Sequence, residues 1–423
     1  MTYNTNPIIF LLQAMMNRLI HVMTWSLMVI VWFLIGCEKS PTSEEERLAY
    51  YELNRQNSLR MFKPIMYNTS DGDREELFKI VHFSDAHISA WSHGNQSRNP
   101  NNIREAVLFA NDTSARINAM VATGDHINNI FETTRNEVIQ LLNIFTNVLY
   151  HNNTIPTFTI TGNHDANMLN PNYQVYALSK LDLHSLLTSK IPYPIHSEGF
   201  ENYYYADLIN QMGGTIRIIG LDVTDQDNFV FSAQHNAILS QKQIDWLCHT
   251  ALKKDMTQQH SVIILIHHPL PPQNEELSRL VNNFFLHDWN MLPEIIETFR
   301  TKQALTQKYP HKFIQSDSIS VDVSFENSPG EFICYLGGHL HTYLDYEVKS
   351  TMNSPLPNQI MIIANNMSPT EKSETTHIER SESGLRNNTF NMYAIDTKKK
   401  VIYVTFFGAT GFYYPNIIER PYL

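Results

Sequence analysis

Five short clusters in this 423-residue chain carry the side-chain types best suited to hold divalent cations. They are Asp85-Ala86-His87, Gly124-Asp125-His126, Gly162-Asn163-His164-Asp165, His267-His268-Pro269 and Gly338-His339-Leu340-His341. Carboxylate and imidazole together suit borderline ions such as Mn, Fe or Zn. No thiolate takes part, which argues against a structural zinc site. Any one cluster alone reads as a turn, a cap or a satisfied core histidine. Five in series, each closing an apolar run, read differently. Burying this many polar groups together is costly unless something such as a metal satisfies them.

The elements that must position these clusters follow from periodicity. LFKIVHFSD, AMVATGD, TFTITGNHD, SVIILIHH and FICYLGG are short apolar runs that end in polar residues, and TIRIIGLD is another. Between them lie the helical patterns IREAVLFANDTSARI and EVIQLLNIFTNVLYH. A third helix starts at Ser240, where Gln243 completes a capping box and Ile244, Leu247, Ala251 and Leu252 mark one buried face. Strands apolar on both faces, alternating with helices, predict an α/β fold whose sheet is covered on both sides. The carboxyl edge of such a sheet is where loops converge, so clusters distant in sequence meet there. Three tail strands, QIMIIAN, FNMYAID and VIYVTFF, follow, with SPTEKSETTHIERSESG as a polar loop among them.

The series DAH, GDH, GNHD, HH and GHLH, complete and in order over residues 78 to 345, resembles the calcineurin-like metallophosphoesterase superfamily. The resemblance implies a four-layer αββα sandwich of two mixed sheets and a centre of two divalent metal ions. Carried over by position, one ion would be held by Asp85, His87, Asp125 and His341. The other would be held by Asp125, Asn163, His267 and His339, so that Asp125 bridges the two. His267 is preferred to His268 because the family's ligand lies one residue farther from the proline; His268 is the alternative. The implied reaction is phosphoester hydrolysis, with a metal-bridging hydroxide as nucleophile and His164 as general acid. Asp165 is expected to orient the His164 imidazole and keep it protonated, or else to act as a loop cap. His126 is expected to make a supporting hydrogen bond. The implied substrate is a small phosphate ester. Two other readings stay open: a non-catalytic metal- or phosphate-binding surface lipoprotein, and a phosphodiesterase or nuclease of the same superfamily.

The N-terminus reads as an address. Residues 22–36 are uncharged and apolar, too short for the ~20 residues of a comfortable span and suited to a signal-peptide core. They end in Leu34-Ile35-Gly36-Cys37, which resembles the lipobox of bacterial lipoproteins, in which the cysteine is lipidated. The expected organisation is a signal peptide over 1–37, a polar linker over 38–75 with a helix across 43–60, and a catalytic domain over 76–423. A lipid anchor at Cys37 would place the domain outside the cytoplasm, in the periplasm or at the cell surface. Met15 and Met16 are alternative starts. Cys248 and Cys334 are expected as inert buried thiols. Against 42 acidic residues stand 31 basic ones, a net charge of -11, so no nucleic-acid partner is expected. Anionic substrates remain compatible, because bound cations dominate the field inside a site. Around the clusters, the loop holding Trp91, His93 and Arg98 and the segment FFLHDWNM are candidate substrate contacts. Solvated loop for the first and ordinary packing for its phenylalanines are the simpler readings.

Overall fold

The computed structural model describes residues 44–68, 75–89, 100–128, 133–168, 173–225, 237–280, 290–310, 318–349, 352, 356–367 and 387–422. Within them the chain forms helix α1 (Glu44–Phe62), then β1 (Phe78–Phe83), α2 (Asn101–Ala110), β2 (Ala119–Ala122), α3 (Arg135–Tyr150) and β3 (Thr157–Thr159). Next come β4 (His196–Ser197), β5 (Tyr204–Ile209), β6 (Thr215–Gly220), α4 (Gln241–Trp246) and β7 (His260–Leu265). Helix α5 (Met291–Thr301) precedes β8 (Glu331–Gly337), β9 (Leu344–Glu347) and β10 (Ile360–Ile363). The tail supplies β11 (Thr389–Asp396), β12 (Val401–Gly408) and β13 (Ile418–Pro421).

These strands build two mixed sheets. One has the order β13-β12-β11-β1-β2-β3, the other β9-β10-β8-β7-β6-β5-β4. In each, the site-bearing strands are parallel and antiparallel strands flank them. Alternation along a strand explains the layering. In β1, Phe78 and Ile80 face the second sheet, meeting Ile263 and Leu265 of β7, while Val81 and Phe83 pack beneath α2 and α3. The outer face of the second sheet is covered by Ile244, Leu247, Leu252, Ile295 and Phe299. The result is the expected αββα sandwich, and the buried face foreseen for the helix after Ser240 is present.

Side-chain caps start two of these helices, α3 and α4. Thr134 and Glu137 form a reciprocal capping box on α3. At α4 only half of the expected box forms. Ser240 accepts the Gln243 N–H, but the Gln243 amide turns instead to Asp222 and Asp225. The Gln243 oxygen accepts the Asp222 N–H, and the Ser240 N–H that a full box would use donates to Asp225 Oδ2 instead.

Part of the expected linker is packed structure. Leu59 and Phe62 of α1 are buried against the outer face of the first sheet, and Arg47 pairs with Glu105 of α2. The helix is mostly polar because only one narrow stripe of it is buried. Cys248 and Cys334 are buried and unbridged, as expected. The segment after β7 adds α5 and a hairpin, Ala304–Pro310 with Ser318–Ser324, whose Ile319, Val321 and Val323 face the core. Cys37 and the signal segment, Trp91, His93, Arg98, Phe284, Phe285, His287, Trp289 and the 368–384 loop lie outside the described residues.

Candidate metal centre

All five clusters arrive at one edge of the sandwich. Asp85, Asp125 and Asn163 follow β1, β2 and β3 of the first sheet, and His267 and His339 follow β7 and β8 of the second. The loops are laced together by backbone. The Asp85 N–H donates to the Gly124 carbonyl and the His87 N–H to the Asp125 carbonyl, both at 3.0 Å; Gly338 N–H donates to the His267 carbonyl at 3.0 Å. To aim their side chains inward, Asp85, His87, Asp125, His339 and His341 take left-handed backbone, with φ between 47° and 72°. Non-glycine residues adopt that region rarely, and clusters of such residues mark functional sites.

Among the described residues, two groups have donor atoms within 4.8 Å of one another: Asp85, His87, Asp125 and His341; and His267, His268 and His339. The first is the set expected for one ion. Its His87 and His341 Nε2 atoms lie 2.9 Å apart, and His341 Nε2 is 3.3 Å from Asp85 Oδ1. The second group is joined by Asn163, whose Oδ1 is 2.9 Å from His267 Nε2 and 3.0 Å from His339 Nδ1. Asp125 reaches both: its Oδ2 is 3.2 Å from His267 Nε2 and 4.0 Å from His87 Nε2.

The chemistry of this donor set fits a cation. His267 Nδ1 lies 2.7 Å from the Thr123 carbonyl, which can only accept, so the proton sits on Nδ1. Nε2 of the neutral ring is then a lone pair, and it faces the Asn163 and Asp125 oxygens. Three acceptors converging on one point repel each other unless a positive charge lies among them. Proton affinity tells the same story. Burial disfavours a charged His267, yet the Asp125 and Asp85 carboxylates outweigh it and raise the imidazole to about 9, so with no ion bound a proton on Nε2 takes the cation's place. Burial likewise opposes ionisation of Asp85 and Asp125, but the surrounding imidazoles hold both below the usual carboxylate range. His268 stacks on His339 with ring centroids 4.2 Å apart, beside the donor point.

His164 stands at the mouth. Its side chain is 20% exposed, its Nε2 is 3.8 Å from Asp125 Oδ2, and its ring packs edge-on to His87. Asp165 does not orient it. Both Asp165 oxygens are taken by backbone, from the N–H groups of His126 at 2.9 Å and Gly162 at 2.8 Å. The expected orienting role is therefore corrected to a brace between the Asp125 and Asn163 loops. A carboxylate one residue along a turn points to the other side of it, so adjacency in sequence misled. Nor is His164 held protonated: burial lowers its pKa, and the Asp125 charge only partly opposes this. His126 is a peg, stacked on Phe145 at 3.9 Å with Nε2 2.9 Å from the Ile160 carbonyl.

Sequence reasoning missed two buried supports. His82 links Tyr393 and Thr123, and Asp222 accepts a hydrogen bond from Thr161. Asp222 closes the apolar run TIRIIGLD as the other site carboxylates close theirs, a signal that was present. His82 lies mid-strand and carried none.

The comparisons agree with the geometry. A family model described as calcineurin-like phosphoesterase matches residues 78–343, more than half of the chain. The chain belongs to that family. A comparison with curated proteins returns no match. The matched span begins at β1 and closes just after His341, so it contains every cluster of the centre.

Proposed function

We propose that this phosphoesterase family member hydrolyses small phosphate esters with two divalent ions. Asp85, His87, Asp125 and His341 would hold one, and Asp125, Asn163, His267 and His339 the other. The observation that carries this reading is the convergence of three potential ligand atoms, with His267 Nε2 lying 2.9 Å from Asn163 Oδ1 and 3.2 Å from Asp125 Oδ2. Bound ions of this kind polarise phosphoryl oxygens and activate water. The protein's part is to fix the donors, and it does so with backbone. Asp125 Oδ1 accepts the His164 N–H at 2.9 Å, leaving Oδ2 for the centre. Asp85 accepts the His339 N–H at 3.0 Å. His164, at the open mouth, is placed to give a proton to a leaving oxygen, and its lowered pKa makes the acid form reactive rather than abundant.

The net charge of -11 supports a small-molecule substrate over nucleic acid. Export by a lipid anchor at Cys37 is part of the same proposal. Among the described residues no helix is long and apolar enough to cross a membrane. The deciding experiment is Asp125→Asn in the full chain, assayed on p-nitrophenyl phosphate and bis(p-nitrophenyl) phosphate with Mn2+. Loss of turnover, with bound metal below two equivalents, is expected. Undiminished turnover and metal content would sink the two-ion reading.

A further inference from the structure

We propose that Asp222 and Thr161 form a positioning pair that sets the Asn163 side chain for metal, a proposal that rests on the two-ion reading. Thr161 is buried and lies two residues before Asn163, just beyond β3 at the edge of the first sheet. Asp222 is buried and lies just beyond β6 of the second sheet. The Thr161 hydroxyl donates to Asp222 Oδ1 at 2.6 Å. That same oxygen accepts the Thr224 N–H at 2.9 Å and the Thr224 hydroxyl at 2.7 Å. A single oxygen with three donors is an anchored acceptor, and its own backbone is clamped as well. Gln243 accepts the Asp222 N–H at 2.8 Å and donates to the Asp222 carbonyl at 2.9 Å. Gln243 also donates to Asp225, which pairs with Lys180.

The position of this tie matters more than its strength. Asn163 comes from the first sheet, but the two histidines its Oδ1 meets, His267 and His339, come from the second. The centre therefore spans two separate sheets, and a slip between them would part Asn163 from both. The Thr161–Asp222 bond crosses the same gap beside it. On its other side the turn is pressed against Asp125, since a Cβ on Gly162 would lie 2.9 Å from the Asp125 carboxylate carbon. Asn163 is thus aimed from two sides, by contact with Asp125 and by a directed hydrogen bond to Asp222. A turn held only for folding would need the contact and not the bond.

The test uses the full chain and compares Thr161→Val, which keeps shape and loses the hydroxyl, with Thr161→Ser, which keeps the hydroxyl. Supporting partners of metal ligands are worth roughly 10–100-fold in metal affinity or activity. Thr161→Val is expected to lose that much in kcat on p-nitrophenyl phosphate, with KM little changed. It should also weaken the second of two Mn2+ equivalents in equilibrium dialysis and diminish the coupled di-Mn electron paramagnetic resonance signal. Thr161→Ser should restore all three. Asp222→Ala, which removes the acceptor, should match Thr161→Val, and the double variant should lose no more than either alone. Wild-type Mn2+ affinity in Thr161→Val, or a serine variant as impaired as the valine, would overturn the pairing. If Asp222→Ala fails to fold, the two Thr161 variants decide alone. Asp125→Asn run alongside separates the failures: if it binds both ions and turns over, the two-ion reading is at fault rather than the positioning pair.

Discussion

Gly162→Ala isolates how closely the Asp125 and Asn163 loops must approach. Gly162 has ordinary backbone, so alanine is conformationally acceptable there; the difficulty is space alone. An added Cβ would lie 2.9 Å from the Asp125 carboxylate carbon, and closer still to its Oδ1 and backbone N. Relieving the closest of these overlaps to an ordinary contact of 3.4 Å requires more than 1 Å of movement by Asp125 or the 162–164 turn. Overpacking of this size costs about 1–3 kcal/mol in stability, which a domain with this much buried core tolerates. The cost to function is larger. Misplacement of a reacting constellation by about 1 Å costs on the order of 100-fold, so turnover of p-nitrophenyl phosphate should fall by that order. Gly199→Ala is the control. It has φ +60° but nothing within 4 Å, so it should lose about 1 kcal/mol to backbone strain and no activity. Circular dichroism melts, metal analysis and steady-state rates on both variants make the comparison. A folded Gly162→Ala protein with wild-type rate and metal content would refute the reasoning.

His164→Ala should reduce hydrolysis of alkyl phosphates by about 100-fold or more while sparing p-nitrophenyl esters, whose leaving group needs no proton; equal losses on both would remove the general-acid role. Chelation with EDTA should lower the melting temperature, since each ion held at a hundred times its Kd contributes about 2.7 kcal/mol; an unchanged melt would count against a resident ion. His82 should give stability a pH dependence. Burial lowers its folded pKa from 6.5 to about 3, against the pull of Asp85. Below pH 6.5 the unfolded chain takes up a proton that the native chain refuses, so stability falls as pH drops, by up to about 1.4 kcal/mol per unit. Urea titrations between pH 7 and 5 should show this slope, and a His82→Gln variant should reduce it by one histidine's share without abolishing it, because buried His126 is lowered to about 3 as well.

Much of this centre could be read before any coordinates, because its donors sit at the ends of apolar strands and the carboxyl edge of a layered sheet gathers such ends. Asp85, Asp125, Asn163, His267 and His339 were legible for that reason. The number of sheets was not, since hydrophobic runs report burial on two faces without saying what lies on them. Asp165 shows another limit: neighbours in sequence diverge around a turn, and which way a side chain leaves it depends on φ values that composition does not encode. Helix α1 was foreseen as a helix but not as part of the body. Its buried stripe is only Leu59, Phe62 and a few polar neighbours, too thin to stand out against the charged residues around it.

Left-handed backbone at five of the seven proposed ligands also bears on how this site can change. Outside glycine, that conformation is open mainly to Asn, Asp and His, and strain of roughly 1–2 kcal/mol accompanies most other side chains. The set of residues the backbone permits there is thus nearly the set that binds metal through oxygen or nitrogen. A drift to Asn or a swap between Asp and His keeps the scaffold and alters the ion; a drift to Val, Ile or Thr loses both together. Variation that retunes metal preference is confined to a small alphabet at these positions, and a library meant to explore it needs only those letters.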